Sequence, residues 1–166
     1  MRFEIEQRGY DDPAVAPLVA AVQDEYRRLY GGPDHDPTPA SAFRPPGGIF
    51  LLGMLDGVAV ATGGFRDVSE VAGAGHVCGT DARLRTAEIK RMFIADHARG
   101  HGLGRRMLLE LEQAARDNGL HRLVLNTGYK QLAAIALYES AGYRRMPGFG
   151  HYADEPGAFF YGKDLV

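Results

Sequence analysis

The chain has a single cysteine, Cys78, no long apolar run and little excess of charge of either sign. One thiol forms no internal disulfide, so the fold does not depend on an oxidising compartment, and a cytoplasmic location is expected. The longest clean apolar stretch covers residues 49–55. It is far shorter than the roughly 20 residues a bilayer crossing needs, so no membrane association is expected. The opening residues MRFEIEQRGYDD are charged from the second position and contain no apolar core, which predicts no signal peptide. Nineteen Lys and Arg against 21 Asp and Glu leave a net charge of −2, which excludes a global attraction to nucleic acid or an anionic membrane. The six histidines form no His-x-x-x-His pair and have no cysteine at ligand spacing, so no metal site is expected. Cys78 has no local His or Asn signature that would make it a nucleophile.

What is present points to one α/β domain covering residues 1–166, a length suited to a single core. Glycine takes 22 positions. Average usage would give roughly 12, so the surplus needs local reasons. Residues 3–6 alternate as a half-buried strand does, and Val15, Leu18, Val19, Val22 and Tyr26 repeat at helical spacing after a start at Asp11 or Asp12. Residues 31–48 hold five prolines and four glycines, which predicts an irregular loop of the kind that often acts as a lid or binding loop. Asp56-Gly57 between two apolar runs predicts a β-hairpin of residues 49–55 and 58–66. A second irregular stretch is expected over residues 67–85. Residues 87–95 then read as a central strand, 102–118 as a helix with Leu103, Met107, Leu111 and Ala114 on one face, and 122–127 as a strand. A helix over 131–141 and closing strands over 143–147 and 158–165 complete the pattern. Gly119 and Gly142 supply helix stops. This order predicts a mixed central sheet with helices on both faces.

The segment Arg99-Gly-His-Gly-Leu-Gly-Arg-Arg106 falls between a strand and a helix, where backbone N–H groups and the helix dipole favour an anion. Glycines there let the backbone approach a phosphate closely. Arg105 and Arg106 in the first helical turn oppose the macrodipole, a conflict that a bound anion removes. Residues 83–106 hold seven Lys or Arg and two acids, so a +5 segment sits in a chain whose remainder carries −7. A dinucleotide fingerprint would need glycine at 105 and an acid about 20 residues past the loop, whereas Arg105 and Asn126 stand there. A Walker loop would need Gly-Lys-Ser/Thr, and Gly104 precedes two arginines. A plain strand-to-helix turn with surface arginines is the remaining alternative.

Arg99-x-x-Gly102-x-Gly104, five residues after Ile94 at a strand end, resembles the acetyl-CoA motif of the GNAT superfamily of N-acetyltransferases. Residues 133–146, AAIALYESAGYRRM, resemble that superfamily's second motif, a helix carrying Leu-Tyr-Glu that ends at Gly-Tyr or Gly-Phe. The resemblance implies a mixed sheet with splayed central strands holding acyl-CoA. The backbone of Met92, Phe93 and Ile94 would pair with the pantetheine arm, and Arg99, Gly100, His101, Gly102, Leu103, Gly104 and Arg105 would hold the pyrophosphate. Many relatives carry Asn where Gln131 stands, which keeps an amide for the cofactor arm. Asn126 either offers an amide to substrate or cofactor or caps a turn. A small-molecule or peptide amine is the implied acceptor. Dimers are common in the superfamily, so a homodimer is among the implied assemblies.

Acetyl transfer to an amine needs a neutral nucleophile and a proton or hydrogen bond for the departing thiolate. A lysine-like amine of pKa near 10.4 costs roughly 4.6 kcal/mol to deprotonate at pH 7, so a base is useful. Glu88 matches the glutamate base of the superfamily's histone-acetylating branch. Alternation along the strand would put Glu88, Lys90, Met92 and Ile94 on one face. The alternative is a structural ion pair of Glu88 with Arg91 or Arg122. Tyr138 matches the tyrosine that serves the leaving thiolate, although Ala134, Leu137, Tyr138 and Ala141 also form an apolar stripe. In the proposed lid, Asp34, His35, Asp36 and Phe43 either bind a cationic amine or make turns. His101 reads as a loop residue near phosphate. Tyr152, in residues 149–156, is a further candidate contact on the acceptor side. Two other functions compete with direct acetyl transfer, an acyl-CoA-binding sensor with little turnover and a phosphate or nucleotide binder on an unrelated α/β fold.

Overall fold

Seven strands and three helices alternate along the chain in the computed structural model, which describes residues 1–70 and 84–165. The strands are β1 Phe3–Gln7, β2 Gly48–Leu55, β3 Val58–Asp67, β4 Thr86–Ile94, β5 Arg122–Gly128, β6 Arg144–Arg145 and β7 Ala158–Asp164. The helices are α1 Ala16–Tyr30, α2 Leu103–Asp117 and α3 Leu132–Ser140. The sheet order is β1-β2-β3-β4-β5-β7-β6, with β4 and β5 parallel and the pairs β1–β2, β2–β3, β5–β7 and β6–β7 antiparallel. The expected mixed α/β sheet is therefore present. Two compact units divide the chain, one of residues 1–66 and 90–111, the other of 67–89 and 112–166. Cys78, His76 and Arg83 lie outside the described residues, as does most of the irregular stretch expected over 67–85.

In the first unit the hairpin forms at Asp56-Gly57, both with positive φ (49° and 85°), the backbone a type I′ turn demands. α1 begins at Ala16, about one turn later than expected. Asp12 accepts a hydrogen bond from the Ala14 N–H at 2.8 Å and closes a local turn, while Pro17 occupies the first helical turn, where its missing donor costs nothing. The helix stops at Gly31, whose φ is 80°. Tyr10, Phe43 and Phe50 form an aromatic cluster with ring centroids 5.2–5.6 Å apart.

The expected alternation of β4 breaks at Arg91. Its φ is 59°, rare for a bulky residue, and the next-door side chains Lys90 and Arg91 both reach the segment before β2. Lys90 pairs with Asp36, and Arg91 pairs with Asp34 at 2.9 Å and donates to the Tyr10 hydroxyl at 3.3 Å. Consecutive residues of a regular strand would point to opposite faces. Met92 instead lies by Gly63, where an added Cβ would sit 2.8 Å from the Met92 sulfur and 3.1 Å from Leu111 of α2. Lys90 and Met92 therefore do not share a face. The strained backbone is held from both sides, since the Arg91 carbonyl accepts a 2.7 Å hydrogen bond from the Thr62 hydroxyl.

Residues 31–48 are irregular as expected, apart from a short 3-10 turn at Ala40–Phe43 and Gly48 at the start of β2. Asp34 accepts from the Asp36 N–H at 2.9 Å, and Asp36 from the Thr38 N–H at 3.1 Å, so both acids do make turns. They also answer the cations of β4. Burial pushes the Asp36 carboxyl up, but hydrogen bonds from Lys90 and Thr38 and the charges of Lys90 and Arg66 outweigh it and hold the group at about 2. Phe43 is buried in the aromatic cluster rather than presented as a wall to solvent.

In the second unit Thr86, Ala87 and Glu88 of β4 pair with Arg122, Leu123 and Val124 of β5. Arg122 is fully buried and donates to Asp164, its register partner on β7, at 2.8 Å. Val68, Val124, Met146, Phe149 and Phe160 form a core cluster. Gly119 (φ 73°) and Gly142 (φ 92°) follow α2 and α3 as the expected stops. The strand expected over 143–147 shrinks to Arg144–Arg145, because Pro147 has no N–H to extend a ladder. On α2 the buried residues are Leu103, Met107, Leu108, Leu111, Glu112 and Ala115, so Ala115 replaces the expected Ala114. Among the described residues, no helix is long and apolar enough to cross a membrane.

The Lys90–Asp36 pair predicts a stability effect. Asp36→Ala leaves a buried ammonium unanswered and is expected to cost about 3–5 kcal/mol in urea unfolding. The folded carboxyl titrates at about 2 against 3.8 for the free group, so its contribution is complete above pH 3.8 and is lost as pH falls through 2. An unchanged unfolding midpoint in the variant at pH 7 contradicts this.

Candidate active site

The strand-to-helix turn of the first unit is built from chain direction and glycine. β4 ends at Ile94, a short 3-10 turn covers Asp96–Ala98, and α2 starts at Leu103. Gly100 and Gly102 have φ of 83° and 74°, and nothing lies within 4 Å of where a Cβ would stand on either. The first backbone hydrogen bond of α2 runs from the Arg106 N–H to the Gly102 carbonyl at 3.2 Å. The amide groups of the turn before it lie outside the helix's own ladder and at its positive end. His101, Gly102 and Arg105 are exposed, Gly104 is half-buried, and Leu103 is anchored in the core. Open space, left-handed glycines and a helix start fit the diphosphate of an acyl-CoA.

The arginines of this segment have separate tasks. Arg99 donates through Nε to the Ile94 carbonyl at 2.8 Å, pairs with Glu25 and with Asp96 at 3.0 Å each, and lies 5.5 Å over the Phe93 ring. Its guanidinium thus clips the turn to the strand end and to α1. Arg106 donates to the Phe3 carbonyl at 3.1 Å and stacks on the Phe3 ring at 4.7 Å, so its charge is spent on packing. Arg105 and Arg106 are both exposed.

In the second unit Glu88 is buried, 3% exposed, on β4 opposite Val124. Asn126 is half-buried and paired in register with Phe160, two residues before the end of β5. The turn after β5 is closed by Gln131, whose Oε1 accepts from the Gly128 N–H at 2.9 Å and the Thr127 hydroxyl at 3.1 Å. That carbonyl oxygen is used locally, and Gln131 caps this turn. Tyr138 is the one buried side chain of α3, and its ring meets Tyr143 edge to face at 5.8 Å. The other members of its expected apolar stripe, Ala134, Leu137 and Ala141, are only partly covered. Tyr152 is half-buried against the Met146 and Phe149 cluster.

Glu25, Glu112 and Lys163 were not expected to matter, yet each holds a side chain near a candidate residue, as does Tyr143, expected only as the Gly-Tyr end of the second motif. Glu112 carried a usable signal, since it falls in the apolar stripe of α2 beside Leu108, Leu111 and Ala115. Among the described residues, no group of three His, Cys, Asp or Glu is arranged to hold a metal.

A mixed sheet thus carries a strand, β4, that runs through a glycine turn into the start of α2. The chain belongs to the GNAT acetyltransferase family, whose sequence model matches residues 16–143. It is 40% identical over 95 residues to an IAA acetyltransferase of Azospirillum brasilense, covering 57% of this chain and 61% of that protein. It is 30% identical over 109 residues to human N-acetylaspartate synthetase, covering 66% of this chain and 32% of that one. The chain therefore spans less than two thirds of either relative. A crystal structure from Klebsiella pneumoniae named as an acyl-CoA N-acyltransferase matches with a TM-score of 0.76 and 30% identity over 99% of this chain and 98% of the other.

Any side chain at position 102 must adopt a left-handed backbone, which costs roughly 1–3 kcal/mol or reshapes the turn. Gly102→Val is expected to weaken CoA binding about tenfold by calorimetry, a loss of roughly 1.4 kcal/mol. Unchanged affinity would remove the turn from the binding site.

Proposed function

We propose that the chain is an N-acetyltransferase that moves an acetyl group from acetyl-CoA to a primary amine by direct attack. The observation that carries this reading is the turn at residues 99–105, in which two left-handed glycines open without obstruction onto the start of a 15-residue helix. Family membership supports acyl-CoA as the donor.

The thioester supplies an activated acyl carbon. Everything else falls to side chains. Glu88 accepts the proton that the amine must lose, directly or through water; the neutral nitrogen then forms the new C–N bond, the C–S bond breaks, and the second nitrogen proton passes to the departing thiolate. Tyr138 donates a hydrogen bond to the thiolate as its charge develops. A phenol near pKa 10 against a thiol near 8.5 makes full proton transfer uphill by roughly 2 kcal/mol, so a strengthening hydrogen bond suffices. The burial of Glu88 and Tyr138 supports these roles, because a dry setting sharpens both interactions. Backbone of Met92, Phe93 and Ile94 holds the pantetheine arm, residues 100–105 hold the diphosphate by amides with Arg105 as the cation, and Arg99 braces the turn. Asn126 and the Gln131 amide nitrogen are the polar groups offered from β5 and the start of α3. Acceptor choice is not carried by Asp34 and Asp36, whose charges are answered by β4. A small-molecule or peptide amine remains the acceptor class.

The test is thiol release from acetyl-CoA with a panel of amines, amino acids, peptides and aminoglycosides. Tyr138→Phe is expected to lower kcat about 10–100-fold with acetyl-CoA affinity nearly unchanged, since its contact matters in the transition state. Glu88→Gln is expected to remove the acid limb of the pH–rate profile. Tight CoA binding with no release for any acceptor would instead identify a sensor.

A further inference from the structure

We propose that Tyr143, Glu112 and Lys163 are positioning residues, a buried hydrogen-bonded brace that sets the orientation of the Tyr138 ring. The inference rests on the role given to Tyr138 above.

Every link lies in the second unit. Gly142, with φ of 92°, ends α3, and the Tyr143 N–H donates to the Tyr138 carbonyl at 3.0 Å. The chain thereby folds Tyr143 back beneath Tyr138, the two rings meeting at 64°. The Tyr143 hydroxyl donates to Glu112 Oε1 at 3.1 Å. Lys163 Nζ donates to the same oxygen at 2.8 Å and lies 5.6 Å from the centroid of the Tyr143 ring. Glu112 is 2% exposed and Tyr143 3%. Burial first, and then the Glu112 charge, push the Tyr143 phenol well above its ordinary 10, so it remains a neutral donor.

Packing alone does not require this arrangement. A buried ion pair is commonly no more stabilising than apolar side chains of the same volume, and phenylalanine would fill the space of the Tyr143 ring. The charged pair adds direction. A phenol with one fixed acceptor has one preferred tilt, and the edge-to-face contact passes that tilt to the neighbouring ring. Tyr138 sits on a nine-residue helix that buries no other side chain, so α3 itself offers it little support.

The experiment uses full-length protein labelled with 3-fluorotyrosine, with the Tyr138 resonance assigned by its loss in Tyr138→Phe. Glu112→Gln and Lys163→Met alter the brace at one contact's remove from Tyr138, each acting through Tyr143. Each is expected to shift, broaden or split the Tyr138 signal. Each is also expected to lower kcat for thiol release from acetyl-CoA about three- to tenfold, with KM for acetyl-CoA within about twofold. Added to Tyr138→Phe, neither is expected to lower kcat further. Tyr143→Phe removes a single oxygen and carries the same test should the other variants fail to fold. A Tyr138 resonance unchanged in position and width in these folded variants overturns the brace. Unchanged turnover in Tyr138→Phe, with the resonance still responsive, overturns the catalytic role of Tyr138 alone.

Discussion

Buried charge on one strand is the constraint from which much of the first unit follows. Lys90 and Arg91 have side chains only 6% and 10% exposed, and burying either charge is costly without an answering carboxylate. Asp36 and Asp34 provide it from a segment more than fifty residues away in sequence. An otherwise irregular run of prolines and glycines thereby acquires a fixed course along β4. Both cations reach that segment because Arg91 takes a left-handed backbone and breaks the alternation of the strand. Backbone strain, ion pairs and loop course form one structure, and each part depends on the others.

The strand-to-helix turn uses charge differently. Of the arginines around it, Arg99 is neutralised by Glu25 and Asp96, and Arg106 is absorbed by Phe3. What the turn offers an anion is mainly backbone, with amides exposed by Gly100 and Gly102 at the start of α2. Side-chain charge builds and braces the cradle. In the second unit buried polar groups again occur in answered pairs, Arg122 with Asp164 and Glu112 with Lys163.

Features set by short-range chemistry were legible in the sequence. The Asp56-Gly57 hairpin, the glycine stops of α2 and α3 and the strand-turn-helix around Gly102 follow from backbone preferences that neighbours in sequence decide. The GNAT family was legible because its two motifs are local too. Features set by pairing across the chain were not. Alternation along residues 88–94 is a sound rule for an undisturbed strand, and nothing adjacent to Arg91 announces its positive φ. The pairing of Arg99 with Glu25, 74 residues earlier, has no local signal. Gln131 reads as a cofactor amide, yet its carbonyl oxygen closes the turn after β5. Glu112 was the one long-range partner that could have been found, as an acid inside the apolar stripe of α2.

The central claim is direct transfer from acetyl-CoA to an amine, without an acylated enzyme. Initial rates measured while both acetyl-CoA and an accepted amine are varied test it most directly. The claim predicts intersecting double-reciprocal lines, since both substrates must be bound before the C–N bond forms. Parallel lines, with an acetyl group found on the protein in the absence of amine, would contradict it.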